Sequence, residues 1–251
     1  MEPGEVIFGL IGYPLGHSFS MQYFTQKIEQ EGLQGYSFEL FPLQNIREFP
    51  SLLRNHPTIR GLAVTIPYKE QVIPYLDSLD TVAAEAGAVN CIRVRGNVLT
   101  GFNTDIIGFR RSLEPLIQPW HRQALVLGTG GASKAVQYVL RQLDIPFLVV
   151  SRFPTNEKRY TTYGALDEEV LASHKLIVNC TPLGMMPDVD TCPDIPYTLL
   201  TPEHLLYDLV YKPPKTLFLQ KGEEMGTTVT NGYEMLIIQA EANWAIWTEG
   251  L

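Results

Sequence analysis

The sequence predicts an α/β protein of two domains, one of them a doubly wound parallel sheet and the other built on a mainly parallel sheet. Three observations lead there. Short apolar runs alternate with stretches of helical period along the 251 residues, and strands separated by helical lengths need crossovers and so pair largely in parallel. Residues 124–136 read ALVLGTGGASKAV, in which four apolar residues run straight into Gly128, Gly130 and Gly131 and a helical pattern starts at once behind them. A separate series of strand-to-loop junctions precedes that turn, so the amino-terminal half is α/β too.

Composition narrows the class. Hydrophobic residues make up 45% of the chain and charged residues 18%, which describes a soluble globular protein with enough apolar side chains for real cores. A net charge of −8 argues against nucleic acid or an acidic membrane surface as partner. Cys91, Cys180 and Cys192 are odd in number and lack metal-ligand spacing, so they read as reduced thiols of a cytoplasmic protein, with no metal implied. The start, MEPGEVIFGLIG, lacks the charged n-region and cleavage site of a signal peptide, and no segment reads as a membrane span.

In chain order, Val6–Ile11 is a buried strand stopped by Gly12-Tyr13-Pro14. A polar loop, residues 15–20, follows, and Phe24 and Ile28 begin a helical face. Ser18 and Ser20 at this junction suit either a helix cap or a small polar ligand with a carboxylate; His17, without a partner in sequence, reads as structural. Tyr36–Phe41 is a strand, Ile46–Leu53 a short helix and Gly61–Thr65 a third strand, which Pro67 ends. Thr65 and Lys69 then share the carboxyl end of the sheet, where open α/β sheets gather ligands. A helix over 80–86 gives way at Gly87 to a strand Val89–Val94, which brings Asn90 to the same rim, and Gly96-Asn97 turns the chain back into Val98–Phe102. Asn103-Thr104-Asp105 opens an apolar helix, where Asp105 suits the first turn.

The glycine turn then aims free N–H groups and the positive end of a helix dipole at one point, where an anionic group belongs. Gly128 permits the sharp turn and Gly130 a close approach to pyrophosphate, while Ser133 stands where the dinucleotide fingerprint has its third glycine. This is the pattern of a Rossmann-type domain. The next strand, Pro146–Val150, ends at Ser151 and Arg152 with no carboxylate before the following helix, which favours NADP over NAD. Lys158 and Arg159 add charge nearby. Leu176–Cys180, Leu205–Val210 and Thr228–Thr230 supply further strands, and Glu234–Thr248 reads as a long amphipathic helix.

These segments together resemble the shikimate dehydrogenases. The marks are GHSFS (16–20), VTIPYK (64–69), GAVN (87–90), NTD (103–105), GTGGASKA (128–135), SR (151–152), NCTPLGM (179–185), YDLVYKP (207–213) and NGYEMLIIQA (231–240), nine in the right order. The resemblance implies reversible NADP(H)-dependent reduction of 3-dehydroshikimate to shikimate, a step toward chorismate and the aromatic amino acids. It implies a substrate domain of residues 1–104 and 234–251, an NADP-binding domain of residues 105–233, and a hinge near Asp105 and Gly232. On the substrate side it implies Ser18 and Ser20 at the carboxylate, Thr65, Asn90, Asp105 and Gln239 around the ring hydroxyls, Lys69 and Asp105 as the catalytic pair, and Tyr211 closing the site. On the cofactor side it implies Gly128, Gly130, Gly131 and Ala132 at the pyrophosphate, Ser151 and Arg152 at the 2′-phosphate, Thr181 beside the adenine-ribose half, and Leu209 and Gly232 near the nicotinamide. A small-molecule substrate and a monomer or homodimer follow from the same likeness.

The chain departs from the pattern in places. Ala63 stands where the family usually has Asn, which removes a polar group from the pocket; Met21 replaces a proline, and Asn156 replaces a second arginine, with Lys158 as its substitute. A relative acting on quinate, or on both polyols with NAD, stays open on account of Ala63. A methyltransferase using the glycine loop for S-adenosylmethionine is opposed by Arg152, and a non-catalytic metabolite sensor by the intact Lys69 and Asp105.

Overall fold

The structure, a computed structural model, describes residues 5–16, 18–154 and 157–250; His17 and Asn156, singled out in the sequence, lie outside the described residues. The chain divides into two compact units, residues 1–104 with 240–251, and residues 105–239.

The first unit runs β1 (Val6–Gly12), α1 (Phe19–Gln30), β2 (Tyr36–Pro42), α2 (Phe49–Asn55), β3 (Ile59–Val64), β4 (Ser78–Leu79), α3 (Thr81–Ala86), β5 (Cys91–Arg95) and β6 (Val98–Phe102). Its sheet has the order β2-β1-β3-β5-β6-β4. β1 lies between β2 and β3, parallel to both, and the β5–β6 hairpin adds the antiparallel pairs. Gly87, at φ +67, ends α3 in the left-handed region and points the chain at the rim.

Each face of this sheet is buried. One is covered by Phe49 and Leu52 of α2 against Ile11, Leu62, Val64 and Ile92. On the other, Phe24 of α1 and the tryptophans Trp244 and Trp247 pack on Phe8, Phe38, Ala63 and Cys91. Phe8 stacks on Trp247 with ring centroids 5.2 Å apart. A Cβ at Gly61 would lie 2.2 Å from Trp247 Cδ1, so only glycine lets the indole rest on β3. The indole N–H donates to Ile92 O at 3.1 Å.

The second unit takes in α4 (Thr104–Leu113) from Asp105 onward, then β7 (Ala124–Leu127), α5 (Gly131–Gln142), β8 (Phe147–Ser151), β9 (Tyr160–Thr162), α6 (Glu168–Ser173), β10 (Leu176–Asn179), β11 (Leu205–Asp208), α7 (Leu217–Glu224), β12 (Thr228–Thr230) and the first turns of α8 (Tyr233–Thr248). All pairs in the sheet, β12-β11-β10-β7-β8-β9, are parallel. The strand order reverses at β7, which sends one crossover to β8 and the next to β10, and such switch points open a crevice at the carboxyl ends.

Two features differ from the sequence expectation. The boundary between units falls inside α8, between Gln239 and Ala240, where the sequence places it before the helix. That helix is not amphipathic either: apolar residues circle it, because its two halves belong to different units. Among the described residues no helix is long and apolar enough to cross a membrane, and no cluster of His, Cys, Asp and Glu is set to hold a metal.

Candidate active site

In the first unit the polar rim is made by backbone bonds just past the strand ends. Thr65 N–H donates to Ile11 O at 2.9 Å and Tyr13 N–H to Ile66 O at 3.0 Å, so the loops after β1 and β3 run side by side. A Cβ at Gly12 would come within 2.4 Å of Thr65 Cγ2; the glycine lets the Thr65 side chain lie across the end of β1. Tyr68 N–H then bonds Thr65 O, and Val89 N–H bonds Lys69 O at 2.7 Å, which ties the lysine backbone to the residue before Asn90.

Ser18 caps α1, its hydroxyl accepting from Met21 N–H at 3.4 Å, and Ser20 sits half-buried in the first turn. The cap and the ligand role are compatible, since a helix N-terminus with two hydroxyls suits a carboxylate. Asn90 is buried and bonded to Thr104, whose hydroxyl also donates to Asn243 Oδ1 at 2.7 Å.

Ala63 does not line this rim. It packs in the apolar cluster with Phe24, Cys91, Ala240 and Trp244, so the group it lacks belongs to the wall behind the rim.

In the second unit Asp105, 5% exposed, occupies the first turn of α4. Gly108 was not singled out in the sequence, yet a Cβ there would stand 2.6 Å from Met235 O and 3.2 Å from Gln239 Cβ. It lets α4 and α8 close on each other, which brings Gln239 beside Gly108, one turn on from Asp105. A glycine inside the run Ile106, Ile107, Phe109 was the available signal.

The glycine turn has the geometry its sequence implies. Gly128 is at φ +107, and a Cβ there would be 3.0 Å from Thr181 Cγ2, so β7 and β10 are pinched together at their ends. Gly130 is the N-cap of α5 and offers no side-chain cap; a Cβ there would project into open space. Gly131 and Ala132 complete a first turn whose N–H groups face outward from the sheet end. Ser133 is fully buried and accepts from Gln137 Nε2 at 3.0 Å, filling the place of a packing glycine. These residues fit a pyrophosphate.

At the end of β8, Ser151 Oγ accepts from Phe153 N–H at 3.2 Å, and the exposed Arg152 guanidinium lies 5.8 Å from the centroid of the Phe153 ring. On the other side of the crevice Leu209 N–H donates to Asn179 O, and a Cβ at Gly232 would fall 2.2 Å from Leu209 O. Tyr211 follows, half-buried, its phenol pushed up by desolvation.

Beneath this edge lies a polar network that sequence reasoning missed. The Asp208 carboxylate, fully buried, accepts from Asn179 Nδ2 at 2.9 Å, Val210 N–H at 3.0 Å and the Thr216 hydroxyl at 2.5 Å. Asn179 Oδ1 in turn accepts from Thr181 N–H and from its hydroxyl. Desolvation outweighs the three donors and pushes the Asp208 pKa up to about 6. Desolvation also raises the Cys180 thiol, which keeps it protonated and inert.

A doubly wound sheet with an open, uncapped glycine turn and an arginine at the next strand end, joined in one chain to an α/β unit whose rim carries a lysine, defines the class of nicotinamide-dependent dehydrogenases. Comparison with known proteins narrows the class. The family model described as the shikimate dehydrogenase substrate binding domain matches residues 10–92. The chain is 36% identical over 265 residues to the shikimate dehydrogenase (NADP(+)) of Halothermothrix orenii, spanning 96% of this chain and 90% of that one. The Thermus thermophilus shikimate 5-dehydrogenase structure in complex with NADP(H) and shikimate superposes with a TM-score of 0.85 at 31% identity, covering 98% of this chain and 94% of that one. A quinate dehydrogenase from Corynebacterium glutamicum in complex with NAD matches with a TM-score of 0.85 at 25% identity, covering 98% and 95%. The chain belongs to the shikimate dehydrogenase family.

Proposed function

We propose that the protein interconverts 3-dehydroshikimate and shikimate with NADP(H), in the supply of aromatic amino acid precursors. The unit of residues 1–104 and 240–251 takes the substrate, and that of residues 105–239 the cofactor. The observation that carries this assignment is the convergence of Thr65, Lys69 and Asn90 on one sheet end through backbone bonds, in a chain whose second unit has the open glycine turn.

NADP, when bound, accepts or supplies the hydride at its nicotinamide. Gly128, Gly130, Gly131 and Ala132 would hold the pyrophosphate at the uncapped start of α5, with Thr181 beside the adenine-ribose half. Arg152 and Ser151 would take the 2′-phosphate, and Leu209 and Gly232 would lie near the nicotinamide. Ser18 and Ser20, with the dipole of α1, hold the substrate carboxylate. Thr65, Asn90, Gln239 and Tyr211 orient the ring.

Lys69 and Asp105 move the proton of the reacting alcohol as a dyad, taking it in oxidation and returning it in reduction, with Lys69 the main carrier. Support comes from two ties: Lys69 O to Val89 N–H, and the neighbouring Asn90 side chain to Thr104, the residue before Asp105. The protein works as a monomer or homodimer in a reducing cytoplasm, in keeping with its free cysteines.

An absorbance assay at the nicotinamide band, with shikimate and quinate each against NADP and NAD, tests the assignment. The shikimate and NADP pairing should be the fastest. Faster turnover with quinate and NAD would move the protein to the other polyol, and absence of turnover with all four would end the dehydrogenase assignment.

A further inference from the structure

We propose that Asn243, buried on α8, is a positioning residue that sets the Asn90 amide through the hydroxyl of Thr104. This rests on Asn90 as a contact to the polyol. The three side chains are all buried, Asn90 at 3%, Thr104 at 1% and Asn243 at 1% exposure.

The direction of each bond follows from donor chemistry. Thr104 N–H can only donate, and it donates to Asn90 Oδ1 at 2.6 Å, which turns the amide nitrogen toward Thr104 Oγ1 at 2.9 Å. The Thr104 hydroxyl has one hydrogen and two oxygens in reach: Asn243 Oδ1 at 2.7 Å and Asn90 Oδ1 at 3.2 Å. With Asn243 present the hydrogen goes to α8, and a lone pair of Thr104 faces the Asn90 nitrogen. Without it the hydrogen turns to Asn90 Oδ1, a second bond on an oxygen that already accepts from Thr104 N–H, and as the 3.2 Å contact shortens the Thr104 rotor draws the Asn90 amide off its present position. Helix formation gives no reason for Asn at this position, since it is among the weaker helix formers and it enters an otherwise apolar layer with Ala240, Trp244 and Trp247. Its bond to Thr104 offsets part of that burial.

Geometry also points to where a substitute amide belongs. Trp247 lies on Gly61 and bonds Ile92 O, while Asn243, one turn earlier, reaches Asn90 through Thr104. α8 therefore runs antiparallel to β3. Ala63, on the same face as Gly61 and paired with Cys91 next to Asn90, stands opposite the turn of Asn243. An amide at 63 approaches Thr104 from the strand as one at 243 does from the helix. The missing Asn at 63 and the buried Asn at 243 are thus two placements of one polar group.

The test compares Asn243→Ala, Ala63→Asn, their combination and Asn90→Ala, with thermal melting to confirm folding. Asn243→Ala should raise the shikimate KM about tenfold, the scale of one buried bond left unmade, with the NADP KM within about twofold of wild type. The double variant should recover most of that loss, which a role in stability alone does not explain. An unchanged shikimate KM in folded Asn243→Ala, or no recovery in the double variant, overturns the proposal. If Asn243→Ala does not fold, the double variant decides: folded with near wild-type KM supports it, unfolded overturns it. An unchanged KM in Asn90→Ala removes the polyol role of Asn90 and this proposal together, whereas a raised KM there with an unaffected Asn243→Ala removes this proposal alone.

Discussion

Replacing Asp208 by Asn should erase a pH-dependent part of the protein's stability. The folded carboxyl binds its proton more tightly than the unfolded one, with a pKa pushed from 3.8 to about 6 by burial. A raised carboxyl pKa makes a contribution that is fully present below the unfolded value and is lost as pH rises through the folded one. The gap corresponds to about 3 kcal/mol over the whole window, of which about 2 kcal/mol falls between about pH 4.5 and about pH 7. In the variant the new amide keeps an oxygen for Asn179 and Val210 N–H and turns its nitrogen to the Thr216 hydroxyl, so the shape of the network survives without the charge. The assay is urea unfolding of wild type and Asp208→Asn at those two pH values. Relative to the variant, wild type should lose about 2 kcal/mol on going from the lower to the higher pH. Parallel pH profiles for the two proteins would show that Asp208 is not held in a desolvated site, and the description of the network beneath Thr181 would fall with it.

Lys69→Ala should lower kcat by ~10²–10⁴-fold, the usual share of general acid–base help, with a smaller change in shikimate KM; near wild-type turnover would remove Lys69 from the dyad. Arg152→Ala should raise the NADP KM by about tenfold, the scale of a lost charge-assisted bond, and leave the NAD KM nearly unchanged, whereas equal effects on both contradict the 2′-phosphate role. Gly61→Val places a side chain where Cδ1 of the buried Trp247 lies only 2.2 Å from a Cβ. It should cost about 3 kcal/mol or more by overpacking and shift the tryptophan fluorescence, so an unchanged urea midpoint would mean the indole does not rest on β3.

Local signals in the chain were sufficient wherever one short segment decides the outcome. The glycine turn is the clearest case: strand, Gly128 and Gly130, then helix is read from consecutive residues, and the positive φ of Gly128 and uncapped start of α5 follow from that order. Ser18 as a cap, Gly87 as a helix stop and the Gly96 hairpin were legible for the same reason. The edge strands β4, of two residues, and β9, of three, were not, since their partners alone make them strands, whereas the equally short β12 was read at Thr228–Thr230 because Asn231-Gly232 stops it.

The network at Asp208 was hidden because Asn179, Asp208 and Thr216 are drawn together by parallel strand pairing and a helix cap, none of which leaves a spacing in the chain. Gly61, read only as the start of a strand, and Gly108, not singled out, show their role once Trp247 and Gln239 come down on them. The junction of Gln239 and Ala240 carries no sign of a boundary, since an unbroken helix satisfies its own backbone there. By itself, then, the sequence determined the two α/β sheets and the glycine turn between strand and helix, all of them encoded within a few consecutive positions. Only the tertiary structure decided which distant glycine, amide and carboxylate stand behind the rims, because close packing and buried hydrogen bonds pair groups by position in space.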